Sequence, residues 1–447
     1  MLWSILWSDI LILTTKRILS ERNNQRRMDI YDVVKLFSHH SPVSIEIKNT
    51  SHGDNDFRET LFVNFGYEKM EIKLCANGFT DEKHLYLWER IAQEYQNLGY
   101  YCPQIKRSLN GTFPTVQYKN RKCVAWGENF SKYRSAAELI KDKFQDTKLV
   151  KDGWYSFFED AMIMDAKVAA CHFNYTDLPS GYCMFEVFDP TDKSDETTED
   201  AKRWFMIAKK LPNTFMCQVE RIWNNWLDAR KEPKKIYHML PSSVFQADIN
   251  VTNVLLDENG HFRGIYDFNM GGREVYINYI LRQAPYVSTY NTYDGLETDD
   301  TFLKRILHAL NIVRKVYTFS ELEKKAAPLL YKCIRPLWWH ASVELEEVCM
   351  DDVKIQRHLD EIEYEQTRTI DVLPPHTRDF SRELGGRAFY LQSLNSYGII
   401  YIWIKRLVLL FLKMLHMVVD MCILSSTISY GVRNIGSESW LLDWTRK

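Results

Sequence analysis

Asp248, Asn253 and Asp267 are the side chains of this 447-residue chain whose types and spacing most directly suggest chemistry. They lie in residues 245–279, FQADINVTNVLLDENGHFRGIYDFNMGGREVYINY. Each offers oxygen, and the set contains no His or Cys. Such donors suit a hard divalent cation such as Mg2+, which typically takes a carboxylate, an amide oxygen and substrate phosphates. A lone Asp near an acceptor hydroxyl suits a general base. The pattern D-x-x-x-x-N, followed by an apolar strand ending in D-F, fits phosphoryl transfer.

Local structure explains how residues up to 19 positions apart in the sequence could meet. Asn259–Gly260 is a hairpin turn signal between the apolar runs 253–256 and 261–268. A two-residue turn there sets position 253 opposite 266, so Asn253 and Asp267 share the open end of one hairpin. Asp248 lies in the polar loop leading into that end.

Upstream, the pattern is strand-like from residue 44 to 128, with one helix. Residues 61–65 and 70–75 read as a hairpin around a turn at 66–69. On the second strand Met70, Ile72 and Leu74 share one face, which leaves Glu71, Lys73 and Cys75 on the other. Asn77–Gly78 ends that strand. A helix should follow, capped by Thr80, with Trp88, Ile91, Ala92, Tyr95 and Leu98 at spacings of three and four. A third strand zone covers 115–126. Past residue 135 the periodicity is helical, over 136–144, 154–172, 198–210, 215–231, 302–329 and 341–371. The acidic run 188–200 reads as a solvated loop. The expected fold is α+β and bilobal, a small N-terminal antiparallel-sheet lobe with one helix joined to a larger, mainly helical lobe.

With these elements in place, residues 245–279 resemble the aminoglycoside phosphotransferase and choline kinase-like enzymes of protein-kinase-like fold. That family's motif reads H-G-D-x-x-x-x-N and then I-D-F or I-D-W. Here it stands as Gln246–Ala247–Asp248 with Asn253, then Ile265–Tyr266–Asp267–Phe268. Gln246 replaces the usual His and can still donate and accept hydrogen bonds. The likeness covers residues 44–290.

The resemblance implies that Asp248 is the catalytic base, orienting the acceptor hydroxyl, and that Asn253 and Asp267 hold Mg2+. It implies that Lys73 meets the phosphates of ATP or GTP and that Glu89, 16 residues on, fixes the lysine, with Glu94 as fallback. The loop at Gly53 would cover the phosphates, and residues 123–126, with Ala125 and Trp126, would form the linker that meets the base. The implied reaction moves the γ-phosphoryl group to a hydroxyl of a small molecule, without a covalent enzyme intermediate. The alternative is an inactive nucleotide-binding scaffold of the same fold.

Composition bounds the rest. The chain is 45% hydrophobic and 14% aromatic, which excludes a disordered or fibrous protein. Lys and Arg number 57 against 59 Asp and Glu, a balance with no global field for gripping nucleic acid. Nine cysteines without a CxxC pair argue against a disulfide framework and for a reducing cytoplasm. Residues 1–27 read as a leader outside the fold, 28–128 as the nucleotide-binding lobe and 129–385 as the catalytic and acceptor-binding lobe. Residues 386–447 form an apolar helical tail interrupted by basic residues. That tail is expected to pack as a buried helix, with peripheral membrane contact as the alternative.

Overall fold

Alternating burial along two consecutive strands builds the first sheet, and a largely exposed strand precedes them. Strand β1 (Ser44–Asn49) follows a short helix, α1 (Ile30–Lys35), capped by the Asp29 carboxylate. Strands β2 (Phe57–Asn64) and β3 (Lys69–Ala76) pair antiparallel with Leu61 opposite Ile72, so the expected hairpin is present. Met70, Ile72 and Leu74 pack into one core with Leu61 and Val63. Glu71, Lys73 and Cys75 are left facing the opposite side. This computed structural model describes residues 28–53, 55–143, 150–151, 154–287 and 299–368. The chain divides into two compact units, Met1–Leu373 and Pro374–Lys447, and all described residues lie in the first. The leader and the apolar tail therefore fall outside the described residues.

Helix α2 (Glu82–Asn97) buries Trp88, Ile91, Ala92 and Tyr95 as its periodicity predicts. Its cap is Asp81 rather than Thr80, with the carboxylate accepting the His84 N–H at 2.8 Å. Thr80 is committed to the preceding turn, donating its own N–H to Asn77 Oδ1 at 2.7 Å. After β4 (Ile105–Lys106), the third strand zone is a hairpin of β5 (Thr115–Tyr118) and β6 (Arg121–Asn129). Lys119 and Asn120 both take left-handed φ, 45° and 63°, the geometry of a two-residue turn. The sheet runs β1-β2-β3-β6-β4, with β5 also on β6.

Residues 130–133 lead into the second lobe through β7 (Arg134–Ser135) and α3 (Ala136–Lys143). A two-strand ribbon, β8 (Val150–Lys151) with β9 (Trp154–Tyr155), precedes α4 (Phe158–Ala170). Then come α5 (Glu196–Ala208), α6 (Met216–Ala229) and α7 (Lys231–Ile236). The acidic run 188–200 is only partly a solvated loop: Asp195 is buried, caps α5 and pairs with Arg230 at 2.6 Å.

Four short strands carry the motif: β10 (Ser242–Phe245), β11 (Val254–Leu256), β12 (Phe262–Ile265) and β13 (Gly272–Val275). Helix α8 (Tyr276–Val287) backs them, followed by α9 (Asp299–Val313), α10 (Glu321–Ile334), α11 (Trp339–Val348) and α12 (Asp352–Thr367). The single helical stretch expected over 302–329 is thus broken. A capping box in which Ser320 and Glu323 exchange hydrogen bonds starts the second helix. Among the described residues no helix is long and apolar enough to cross a membrane.

Gly264 lets the lobes meet. Tyr101, after α2, donates its N–H to Arg263 O at 2.8 Å and accepts the Ile265 N–H at 3.1 Å. A Cβ on Gly264 would stand 1.8 Å from Tyr101 O, so the backbones must part if one is added. Gly264→Ala should lower unfolding free energy by about 1–3 kcal/mol, read by urea denaturation. A variant as stable as the wild type would refute this account of the junction.

Candidate functional site

The loop after β10 turns sharply at Ala247, whose φ of 62° is left-handed; Asp267 is likewise at 60°. A non-glycine residue held there costs about 1–2 kcal/mol, so the surroundings must over-determine both positions. The buried side chain of Gln246 does so. Its Oε1 accepts the Asp248 N–H at 2.7 Å, while its Nε2 donates to Tyr266 O at 3.1 Å and Asp267 O at 2.5 Å. One amide therefore binds the Asp248 loop to the end of β12. Two further anchors hold the loop. Gln246 N–H reaches Tyr95 Oη of α2 at 3.3 Å, and Ile249 N–H reaches Gln283 Oε1 of α8 at 2.7 Å.

The hairpin register is the expected one: Val254 faces Ile265, and Tyr266 N–H donates to Asn253 O at 3.1 Å. A bulge between Leu255 and Leu256 absorbs a turn that is looser than two residues. Asn253 Nδ2 donates to Asp248 Oδ2 at 2.9 Å and to Asp248 O at 2.8 Å. Asn250 Nδ2 (3.0 Å) and Tyr182 Oη (3.4 Å) donate to Asp248 Oδ1. Burial, then the charge of Asp267, push the Asp248 carboxyl up to about 7, against these hydrogen bonds. Asn253 spends its N–H2 on Asp248, and its Oδ1 accepts from Thr252 Oγ1 at 3.3 Å, which leaves that oxygen a second lone pair for a cation. The Asp248–Asn253–Asp267 set is thus all oxygen on the cation side and fits a hard divalent ion that completes its shell with phosphate oxygens. Among the described residues no cluster of three His, Cys, Asp or Glu could hold a metal by itself.

A cavity of about 590 Å³ lies between the lobes, lined by Lys73, Glu71 and Glu128 above and by Leu255, Tyr266 and Asp267 below. A shallow groove of about 660 Å³ beside Phe215 is lined almost wholly by one helix, α12, through side chains such as Asp352, Arg357, Asp360 and Glu361. Lys73 Nζ pairs with Glu128 Oε1 at 2.9 Å. Burial disfavours the ammonium, but Glu128, then Asp267 and Glu71, outweigh it and hold Lys73 above its usual range. Burial pushes Glu71 itself up to about 7.

Glu89 does not meet Lys73. Its carboxylate takes Arg107 Nη2 at 2.6 Å and Nε at 3.2 Å. The reason is helical phase: Trp88 faces the sheet, its ring 6.3 Å from that of Trp126, and the next residue points toward the β4 edge. Glu94 is not the substitute either, since it accepts from Asn97. Ala125 and Trp126 are not the interlobe linker. They sit mid-strand opposite Leu74 and Lys73, and Ala125 N–H is spent on Pro114 O at 2.9 Å. Residues 130–133 make the crossing, and Phe130, Ser131 and Tyr133 line the cavity. Trp126 also lines it, donating its Nε1–H to Glu128 Oε1 at 2.8 Å. Gly53 lies in the β1–β2 turn with φ 101°, and Thr50 and His52 beside it reach the cavity. The glycine is needed for that φ, since a Cβ there would meet nothing within 4 Å.

Among solved structures the chain is similar to a microcompartment-associated aminopropanol kinase, with TM-score 0.45 and 11% identity over 75% of this chain and 94% of that one. It is similar to an amicoumacin kinase solved with AMP-PNP and Ca2+, with TM-score 0.46 and 14% identity over 78% and 96%. A spectinomycin phosphotransferase solved with ADP and its antibiotic matches with TM-score 0.39 and 13% identity over 77% and 95%. The likeness is one of fold. No protein-family model and no curated protein matches the sequence.

Sequence reasoning missed Glu128, Tyr182 and Asn250. Glu128 was within reach of a register argument, standing two residues beyond the strand partner of Lys73. Tyr182 arrives from a loop 66 positions away and left no signal. Gln246→Leu should lower unfolding free energy by about 1–3 kcal/mol per polar group left unpaired, checked by urea denaturation. A loss below that range would mean that Gln246 does not hold the loop.

Proposed function

We propose that the protein transfers the γ-phosphoryl group of ATP, or GTP, to a hydroxyl of a small molecule. One observation carries this reading: Asp267 and Lys73 line one cavity within reach of each other's charge, and Asp267 also acts on the buried Asp248 carboxylate, which Asn253 grips at 2.9 Å. The Lys73 ammonium binds phosphate oxygens as a point charge. The Asn253 Oδ1 and the Asp267 carboxylate would hold the cation. Mg2+, when bound, neutralises charge on the phosphates and aligns them. Asp248 accepts a hydrogen bond from the acceptor hydroxyl, orients it for in-line attack and takes its proton. Tyr182, Asn250 and Asn253 keep that carboxylate aimed. Catalysis is then chiefly positioning and charge stabilisation.

The reading takes the acceptor to be a hydroxyl compound. A thermal-shift screen with Mg·ATP, Mg·GTP and a panel of amino-alcohols, sugars and aminoglycosides addresses both donor and acceptor, since ligands of the native state raise its melting temperature. Asp248→Ala should abolish turnover while leaving the nucleotide-induced shift largely intact. Near wild-type phosphorylation by that variant would sink the assignment, and nucleotide binding without turnover on any acceptor would favour the scaffold.

The pH profile is a second check. A base must be unprotonated, and burial with the Asp267 charge places Asp248 at about 7. The acid-side limb of kcat/KM should therefore bend near pH 7, falling about tenfold per unit below it. A limb bending near 4, the ordinary carboxylate range, would mean that burial and the Asp267 charge do not govern Asp248 in the loaded site.

A further inference from the structure

We propose that Glu128, a residue of the sheet, is the carboxylate that positions Lys73 for nucleotide phosphates, so that this ion pair is assembled without any contribution from helix α2. The role rests on the phosphotransferase reading; the pairing rests on geometry. Strands β3 and β6 are antiparallel neighbours in which Lys73 lies opposite Trp126 and Glu71 opposite Glu128. All four side chains therefore share the cleft face, and Glu128 is the diagonal neighbour of Lys73. Two carboxylates directly opposite one another repel unless a cation stands beside them, and the Lys73 ammonium, 2.9 Å from Glu128 Oε1, supplies it. Trp126 fixes the far side, with Nε1–H on the same oxygen at 2.8 Å. A long, flexible lysine stem is thus held by two adjacent strands, whose spacing is set by backbone hydrogen bonds.

Helix α2 has nothing to spare for the task. Its Glu89 is bound twice by Arg107, whose guanidinium also lies 4.6 Å from the Tyr86 ring centre. To reach Lys73 it would have to leave Arg107 and pass the Trp88–Trp126 pair. The helix is further pinned by Tyr95, which takes the Gln246 N–H and packs edge-on against Phe268 at 5.8 Å. The phosphate-binding lysine is consequently in place whenever the sheet is folded.

The test compares Glu128→Gln, Glu89→Gln and Trp126→Phe with the wild type. On nucleotide-free protein, acylation of the Lys73 amine is followed by mass spectrometry. Glu128→Gln should speed it about tenfold by removing the charge partner, and Trp126→Phe should speed it less. Glu89→Gln should leave it unchanged. For Mg·ATP against adenosine, Glu128→Gln should weaken ATP about tenfold and leave adenosine within about twofold, a split that general unfolding does not produce. If Glu89→Gln, and not Glu128→Gln, releases Lys73, the inference is overturned. Should Glu128→Gln not fold, the labelling of Trp126→Phe decides, and an unchanged rate overturns the inference. If the wild type binds no nucleotide, the functional reading fails while the labelling still settles the pairing.

Discussion

The side-chain amide of Gln246 is fully buried, and every polar atom on it must find a partner inside the protein. It finds them in the two segments that carry Asp248 and Asp267. Both segments contain a non-glycine residue in the left-handed region, Ala247 and Asp267 itself. Neither conformation is favourable alone, and the hydrogen bonds offset the strain by holding both turns against one amide. The rest of the site follows from this junction. Asn253 can reach the Asp248 carboxylate only because the loop closes at that distance, and the β11–β12 register then sets Asp267 beside them.

Charge in the cleft is arranged at the cost of solvation. Lys73, Glu71, Glu128 and Asp267 share one partly enclosed cavity, where an unpaired ion would be expensive. The consequences are visible in the direction of each shift. Lys73 keeps its proton more tightly than usual because three carboxylates surround it, led by Glu128. Asp248 and Glu71 hold theirs up to about 7 because burial disfavours their anions. On the proposed function, an incoming polyphosphate with its cation would exchange these electrostatics for better ones.

The sheet and the helical lobe differ in how firmly they are tied to the motif. Strands β3 and β6 present Lys73 and Glu128 through backbone pairing, whereas the Asp248 loop is hung from side chains of α2 and α8. Tyr95 belongs to both systems, packing in the core face of α2 and accepting from the loop. The Gly264–Tyr101 contact adds a backbone link between the lobes, and it depends on a residue without a side chain.

The sequence by itself determined the local elements and those site residues that lie within one hairpin or one strand. Period-two burial set the face that carries Lys73. The Asn259–Gly260 turn set Asn253 against Tyr266, because a hairpin's register is counted along a single stretch of chain. Residue types determined the chemistry of the site, oxygen donors with one ammonium. What only the tertiary structure decided was which distant groups pair. Glu89 and Glu128 are both plausible partners of Lys73 on spacing alone. The choice depends on the rotation of α2 against the sheet, and Trp88 settled it by taking the buried position beside Trp126. The stretch 123–126, expected to meet the base, lies within β6 ahead of the crossing at 130–133 for a similar reason, since β6 continues for as long as β3 and β4 offer it hydrogen bonds. Such contacts depend on packing between elements far apart in the chain, and no periodicity within either element encodes them.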